Sequence, residues 1–102
     1  MKEIKMLVEN IHDEAEDAEK YAKLAVKYRD MDKEMSDVFA YLSEEELSHL
    51  NKLHAQAVRY IRKAQDSGAE VPAAMQAVWD WEHTKNMEHV AKVKMLLSTL
   101  KA

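Results

Sequence analysis

EMSDVFAYLSEEELSHLNKLHAQAVRYIRKAQD, residues 34–66, runs for 33 residues without a glycine or a proline. Read as one helix it is about 50 Å long at 1.5 Å per residue. Met35, Phe39, Leu42, Glu46, His49, Leu53, Gln56 and Tyr60 recur in it at steps of four and three, the pattern of a side-chain seam facing a partner helix along its whole length. A further stripe at Leu47, Leu50, Ala57, Val58 and Ile61 makes it a middle helix, buried on two sides. Upstream, residues 2–29 repeat the pattern with Ile4, Leu7, Ile11, Glu14, Ala18, Tyr21, Ala25 and Tyr28. The polar stretch Arg29-Asp30-Met31-Asp32-Lys33 separates the two runs. Downstream, Asp66-Ser67-Gly68-Ala69-Glu70-Val71-Pro72 holds the only glycine and the only proline. Gly68 suits a helix C-terminal cap and Pro72 the first turn of a third helix over 73–100.

The expected fold is therefore all-α: a long antiparallel helical hairpin plus a third helix, in a single domain spanning 1–102. With 102 residues there is no room for a second core, and 47% hydrophobic residues exclude a disordered chain. One glycine cannot build a dinucleotide or P-loop phosphate cradle, and the many turns of a β-sandwich are missing. The absence of cysteine removes disulfides, thiolate zinc sites and cysteine nucleophiles. A net charge of −4 gives no electrostatic case for nucleic acid as a partner. No apolar run reaches signal-peptide or membrane-spanning length, so neither membrane association nor export is expected and the cytoplasm is the expected location.

Three residues sit on the seam where an apolar side chain belongs: Glu14, Glu46 and His49. An ionisable group there costs stability unless it is paired or bound to a cation. In an antiparallel hairpin Glu46 lies about 18 Å beyond the turn, and the same distance back along the first helix reaches residues 15 to 18, within about one turn of Glu14. Glu46 and His49, at i and i+3, share one face. Carboxylate and imidazole together suit iron or manganese, with zinc as a further option.

On these residues the chain resembles the ferritin-like, rubrerythrin-like superfamily. Glu14 is followed seven residues later by Tyr21, in the run EAEDAEKY, and Glu46-Leu47-Ser48-His49 matches that superfamily's Glu-x-x-His motif. A full ferritin-like bundle holds two such halves; here one half covers residues 2–66, and the third helix has no Glu-x-x-His. The chain is similar to the small encapsulated-ferritin type, and that resemblance implies a four-helix di-iron bundle completed by a homodimer or a higher even oligomer. It also implies oxidation of Fe²⁺ by oxygen or peroxide, with Tyr21 beside the metal as the catalytic residue. The residues after Leu100 hold no extended cargo peptide, so residence in a protein shell is not expected.

A second geometry uses one chain. If the third helix folds back along the second, Glu88 or His89 comes level with Glu46 and His49, and Glu82 and His83 come level with His54. Glu14, Glu46, His49 and His89 would then hold a metal in a three-helix bundle, with Glu82 in reserve. This arrangement ranks below the dimer because it discards half of the superfamily pattern. The competing function class is a non-catalytic helical interaction module in which Glu14, Glu46 and His49 form only a buried polar network; a mineral-storing shell is a third.

Other side chains have simpler expectations. His12 faces solvent, and His54 and His83 are satisfied polar residues. Met6, Met31, Met35, Met75, Met87 and Met95 fill the core or an interface, and Trp79 and Trp81 pack the third helix onto the hairpin. A hemerythrin-like site is rejected, since His49 and His54 are five apart where that pattern needs four.

Overall fold

The computed structural model describes residues 2–68 and 73–101, apart from the side chains of Ala74 and Met75, and is all-helical. Helix α1 spans Lys2–Tyr28, α2 Lys33–Asp66 and α3 Ala73–Thr99, each end within one residue of the sequence expectation. The first reversal is tight: the Met31 and Asp32 backbone amides both donate to the Tyr28 carbonyl. The Asp32 side chain then caps α2 by accepting from the Met35 amide at 3.1 Å. At the far end Gly68 has φ +75° directly after the Ser67 cap of α2, a left-handed conformation that only glycine adopts at no steric cost. Pro72 and Met75, assigned above to a helix start and to the core, lie outside the described residues and side chains.

The α1–α2 seam is built from small residues. Ala15, Ala18, Ala22 and Ala25 of α1 are fully buried, and α2 buries Ser36, Ser43, Leu50, Ala57 and Ala64 at every seventh position, with Ile61 beside them. Methyl and hydroxymethyl groups let the two backbones approach closely. Ser36 Oγ donates to the Ala25 carbonyl at 2.6 Å and Ser43 Oγ to the Ala18 carbonyl at 2.7 Å, so each buried hydroxyl also ties the helices together. On α2 the buried line runs one residue beyond the expected seam, whereas on α1 Ile4, Leu7, Ile11, Ala18 and Ala25 are buried as expected and Ala15 and Ala22 take the interior in place of Glu14 and Tyr21. Glu14, Tyr21, Tyr28, Phe39 and Glu46 flank it and are half-buried, and Met35 is exposed.

The middle helix is α1, not α2 as expected. Helix α3 lies mainly along α1 and meets α2 at few places. The C-terminal half of α3 docks by apolar contact, with Val93 and Leu97 packed against Ala18 and Ala22 beside Ala40 and Leu47. Its N-terminal half has Trp79 against the Ile4–Val8–Ile61 cluster. Trp79 thus packs as expected, whereas Trp81 is exposed, as are Met6, Met31, Met35, Met87 and Met95. Met31 and Met35 stand at the hairpin turn, and Met6, Met87 and Met95 lie on exposed helix faces. The molecule measures 56 × 19 × 18 Å. Among the described residues no helix is long and apolar enough to cross a membrane.

Candidate metal centre

Glu14 of α1 and Glu46 and His49 of α2 converge as their sequence spacing predicts. One donor atom from each lies within 4.8 Å of the other two, and among the described residues no other set of three His, Asp or Glu side chains does this. His49 Nδ1 is 3.7 Å from Glu14 Oε2 and 3.8 Å from Glu46 Oε2. These separations are too long for hydrogen bonds, so one ring nitrogen faces two carboxylate oxygens across a gap. Glu14 Oε2 is buried and has no hydrogen-bond partner. Glu14 and Glu46 are half-buried, while the His49 side chain is 50% exposed. Two carboxylates and an imidazole around a gap, with one oxygen buried and unpaired, fit a divalent cation that is open to solvent on the His49 side.

The group sits on the flank of the hairpin that α3 leaves uncovered. Residues two apart on a helix are separated by about 200°, so Glu14 and Tyr21 point away from the side of α1 where His12 and Glu19 meet α3. Tyr21 lies two turns from Glu14, about 10 Å along the axis. Its ring stacks on Phe39 at 6.1 Å between centroids, and Phe39 stacks in turn on Tyr28 at 6.2 Å. Met31, Met35, Val38 and Tyr41 are exposed around the hairpin turn, at the same end of the molecule as this stack.

His89 and Glu82 lie elsewhere. His89 Nδ1 is 3.4 Å from Glu19 Oε2, and Lys92 Nζ is 3.0 Å from Glu19 Oε1. Glu82 Oε2 is 3.8 Å from His12 Nδ1, and His12 Nε2 is 3.0 Å from Glu16. Neither His89 nor Glu82 belongs to the Glu14 group, because the middle position of α1 puts α3 on the opposite flank. His12, expected in solvent, is half-buried against α3 with Nδ1 enclosed and unpartnered. Burial works against the Glu19 carboxylate, but the hydrogen bond from Lys92, aided by the charges of Lys23, Lys92 and His89, holds its pKa below the ordinary 4.5. The same contact raises the pKa of Lys92.

The layer of His54 and His83 is where the fold-back geometry puts it. His54 Nε2 and His83 Nδ1 face each other at 3.3 Å, and Trp79 lies beside both rings. Burial, reinforced by the neighbouring His83, pushes the His54 pKa down. Asn86, not singled out by its sequence context, is 2% exposed with Oδ1 unpartnered. The one signal for it is position: Trp79, Glu82, His83 and Asn86 follow the i, i+3, i+4, i+7 spacing of a buried face.

Comparisons with protein families, with curated proteins and with solved structures find no match. The functional argument therefore rests on the geometry of the chain itself.

Proposed function

We propose that this chain is a metal-binding protein of ferritin-like type in which Glu14, Glu46 and His49 hold iron, with manganese or zinc as alternative ions. The observation that carries the reading is the gap bounded by Glu14 Oε2, Glu46 Oε2 and His49 Nδ1, with the Glu14 oxygen buried and unpaired. A cation supplies the partner that this oxygen lacks, and two carboxylates offset a divalent charge while a neutral imidazole nitrogen completes the set. Bound iron would supply one-electron chemistry, Fe²⁺ giving Fe³⁺ with oxygen or peroxide as oxidant.

A second copy completes the site in this reading. The donor group stands on the uncovered flank beside the Tyr21–Phe39–Tyr28 stack, and a two-fold axis against that flank would bring a second Glu14, Glu46 and His49 to the first. The chain's own residues then have distinct tasks. Glu14 and Glu46 would hold the ion through their carboxylates, His49 would add a neutral nitrogen on the solvent-open side, and Tyr21, stacked on Phe39, places a phenol two turns from Glu14.

The test is metal content by elemental analysis with mass by light scattering, on wild type and on Glu46→Ala. About one iron per chain in a dimer or larger even assembly, lost in Glu46→Ala, is the expected result. No difference in metal content between wild type and Glu46→Ala after reconstitution with iron, manganese or zinc would sink the reading. The alternative of a non-catalytic interaction module draws on the exposed Met31, Met35, Val38 and Tyr41. It predicts the same assembly without metal, surviving the combined Glu14→Leu, Glu46→Leu and His49→Leu change.

A further inference from the structure

On the opposite flank of α1 a second set of polar groups lines a small, partly enclosed cavity. The cavity is about 10 Å³, room for one water-sized species, and is lined by His54 of α2 and by Trp79, Glu82, His83 and Asn86 of α3, with Val8, Ile11 and Leu50 among its apolar walls. His54 Nε2 and His83 Nδ1 point at each other across 3.3 Å. In the ion-free chain the two rings share a long hydrogen bond whose donor depends on the tautomer, as expected for satisfied polar residues. Two nitrogens bound to one tetrahedral zinc at about 2.0–2.1 Å stand roughly 3.3–3.4 Å apart, the separation found here. Glu82 Oε2 and Asn86 Oδ1 are both buried with no hydrogen-bond partner. An unpaired buried carboxylate is costly, and a cation removes the cost. Asn86 is enclosed almost completely and offers its carbonyl oxygen to this same cavity.

We propose that His54, His83, Glu82 and Asn86 form a second metal site, separate from the Glu14 group, that takes a single zinc-type divalent cation between α2 and α3. The imidazole pair is the preformed half, and the Glu82 carboxylate, which does not stand within 4.8 Å of both rings, has to turn to join it. The Glu82 oxygen faces His12 Nδ1 at 3.8 Å, too far for a hydrogen bond, so the carboxylate is free to turn onto an ion held by the two rings. Two imidazoles with one carboxylate is a zinc donor set, and Asn86 fills a fourth position through oxygen. The apolar walls keep the site dry, which strengthens each ligand contact. Because α3 otherwise meets α2 at few places, the ion also fastens those two helices.

Trp79 is the reporter, its ring 5.6 Å from His54 and 5.7 Å from His83 between centroids. In a Trp81→Phe background, Co²⁺ should quench Trp79 fluorescence and Zn²⁺ should reverse the quenching at one equivalent per chain. His54→Gln and His83→Gln should each weaken Zn²⁺ at this site at least tenfold, whereas Glu14→Gln with Glu46→Gln should leave the quenching unchanged. Quenching that persists with unaltered Zn²⁺ affinity in the folded His54→Gln, His83→Gln double variant overturns the proposal, as does a wild type that shows none. Should those variants fail to fold, ¹⁵N imidazole spectra of the wild type decide: Zn²⁺ must shift His54 Nε2 and His83 Nδ1 together, and unshifted resonances refute the site.

Discussion

Glu14 and Glu19 are five residues apart on one helix and are settled in different ways. Glu19 is paired: Lys92 and His89 of α3 meet it directly and Lys23 adds its charge. Its folded pKa lies below the ordinary 4.5, so the folded state takes up its proton later than the unfolded state does as pH falls. The stability it contributes is thus fully present above about pH 4.5 and is lost as pH drops through the folded value. Glu19→Gln should remove that part of the acid sensitivity and, with solvent screening the exposed Lys92, cost no more than about 1 kcal/mol at pH 7, read from urea melts at pH 7 and pH 3.5. Glu14 has a buried oxygen and no hydrogen bond to it. Glu14→Gln should leave metal-free stability within about 0.5 kcal/mol while metal uptake falls, a split that elemental analysis and thermal melts separate.

At the scale of elements, the α1–α2 seam decides most of the stability and was the least legible part of the sequence. Periodicity correctly marks both helices as amphipathic, and the polar stretch 29–33 and the cap at Gly68 place their ends. What it misplaces is the line of closest contact. Weighting by bulk favours Tyr21, Tyr28, Phe39 and Leu42, but close helix approach selects the smallest side chains, so Ala15, Ala22, Ser36 and Ser43 win the interior. The same displacement moves Glu14 and Glu46 from the seam to its edge without separating them, which is why the donor group survives a misread interface. The α3 register was legible only for His54 and His83, because its polar and apolar residues are not sorted onto opposite faces. Ala22→Leu should force the helices apart and cost about 1–3 kcal/mol. Ser43→Ala should cost about 1 kcal/mol through the lost bond to the Ala18 carbonyl. Chemical denaturation of both variants checks the order.

The whole molecule is long for its mass. Its radius of gyration is 16.2 Å, against about 13 Å for a compact chain of this length. Its accessible surface is 6722 Å², roughly 800 Å² above the scaling for a monomer of 11.8 kDa. That excess matches what one partner buries in an interface of standard size, about 800 Å² per side. The even assembly proposed above would cover the exposed Met31, Met35, Val38 and Tyr41. Tyr41→Lys combined with Val38→Glu should shift the mass by light scattering toward a single chain. If the four-helix reading holds, iron per chain should fall in parallel with the mass.

The five-residue step between His49 and His54 has a further consequence. Five residues turn a helix by about 140°, and this angle sends one imidazole to each flank of the same helix. Apart from Ile61, the buried positions of α2 recur every seven residues, so the helix behaves as a graduated ruler with marks on two edges. Adding or removing one residue between 49 and 54 would swing everything downstream by about 100°, taking His54 and the Ala57–Ala64 stripe off their partners together. Steps of seven or eleven residues come within about 20° of whole turns and would keep both edges facing their sides, so length variation should come in such steps or fall outside α2.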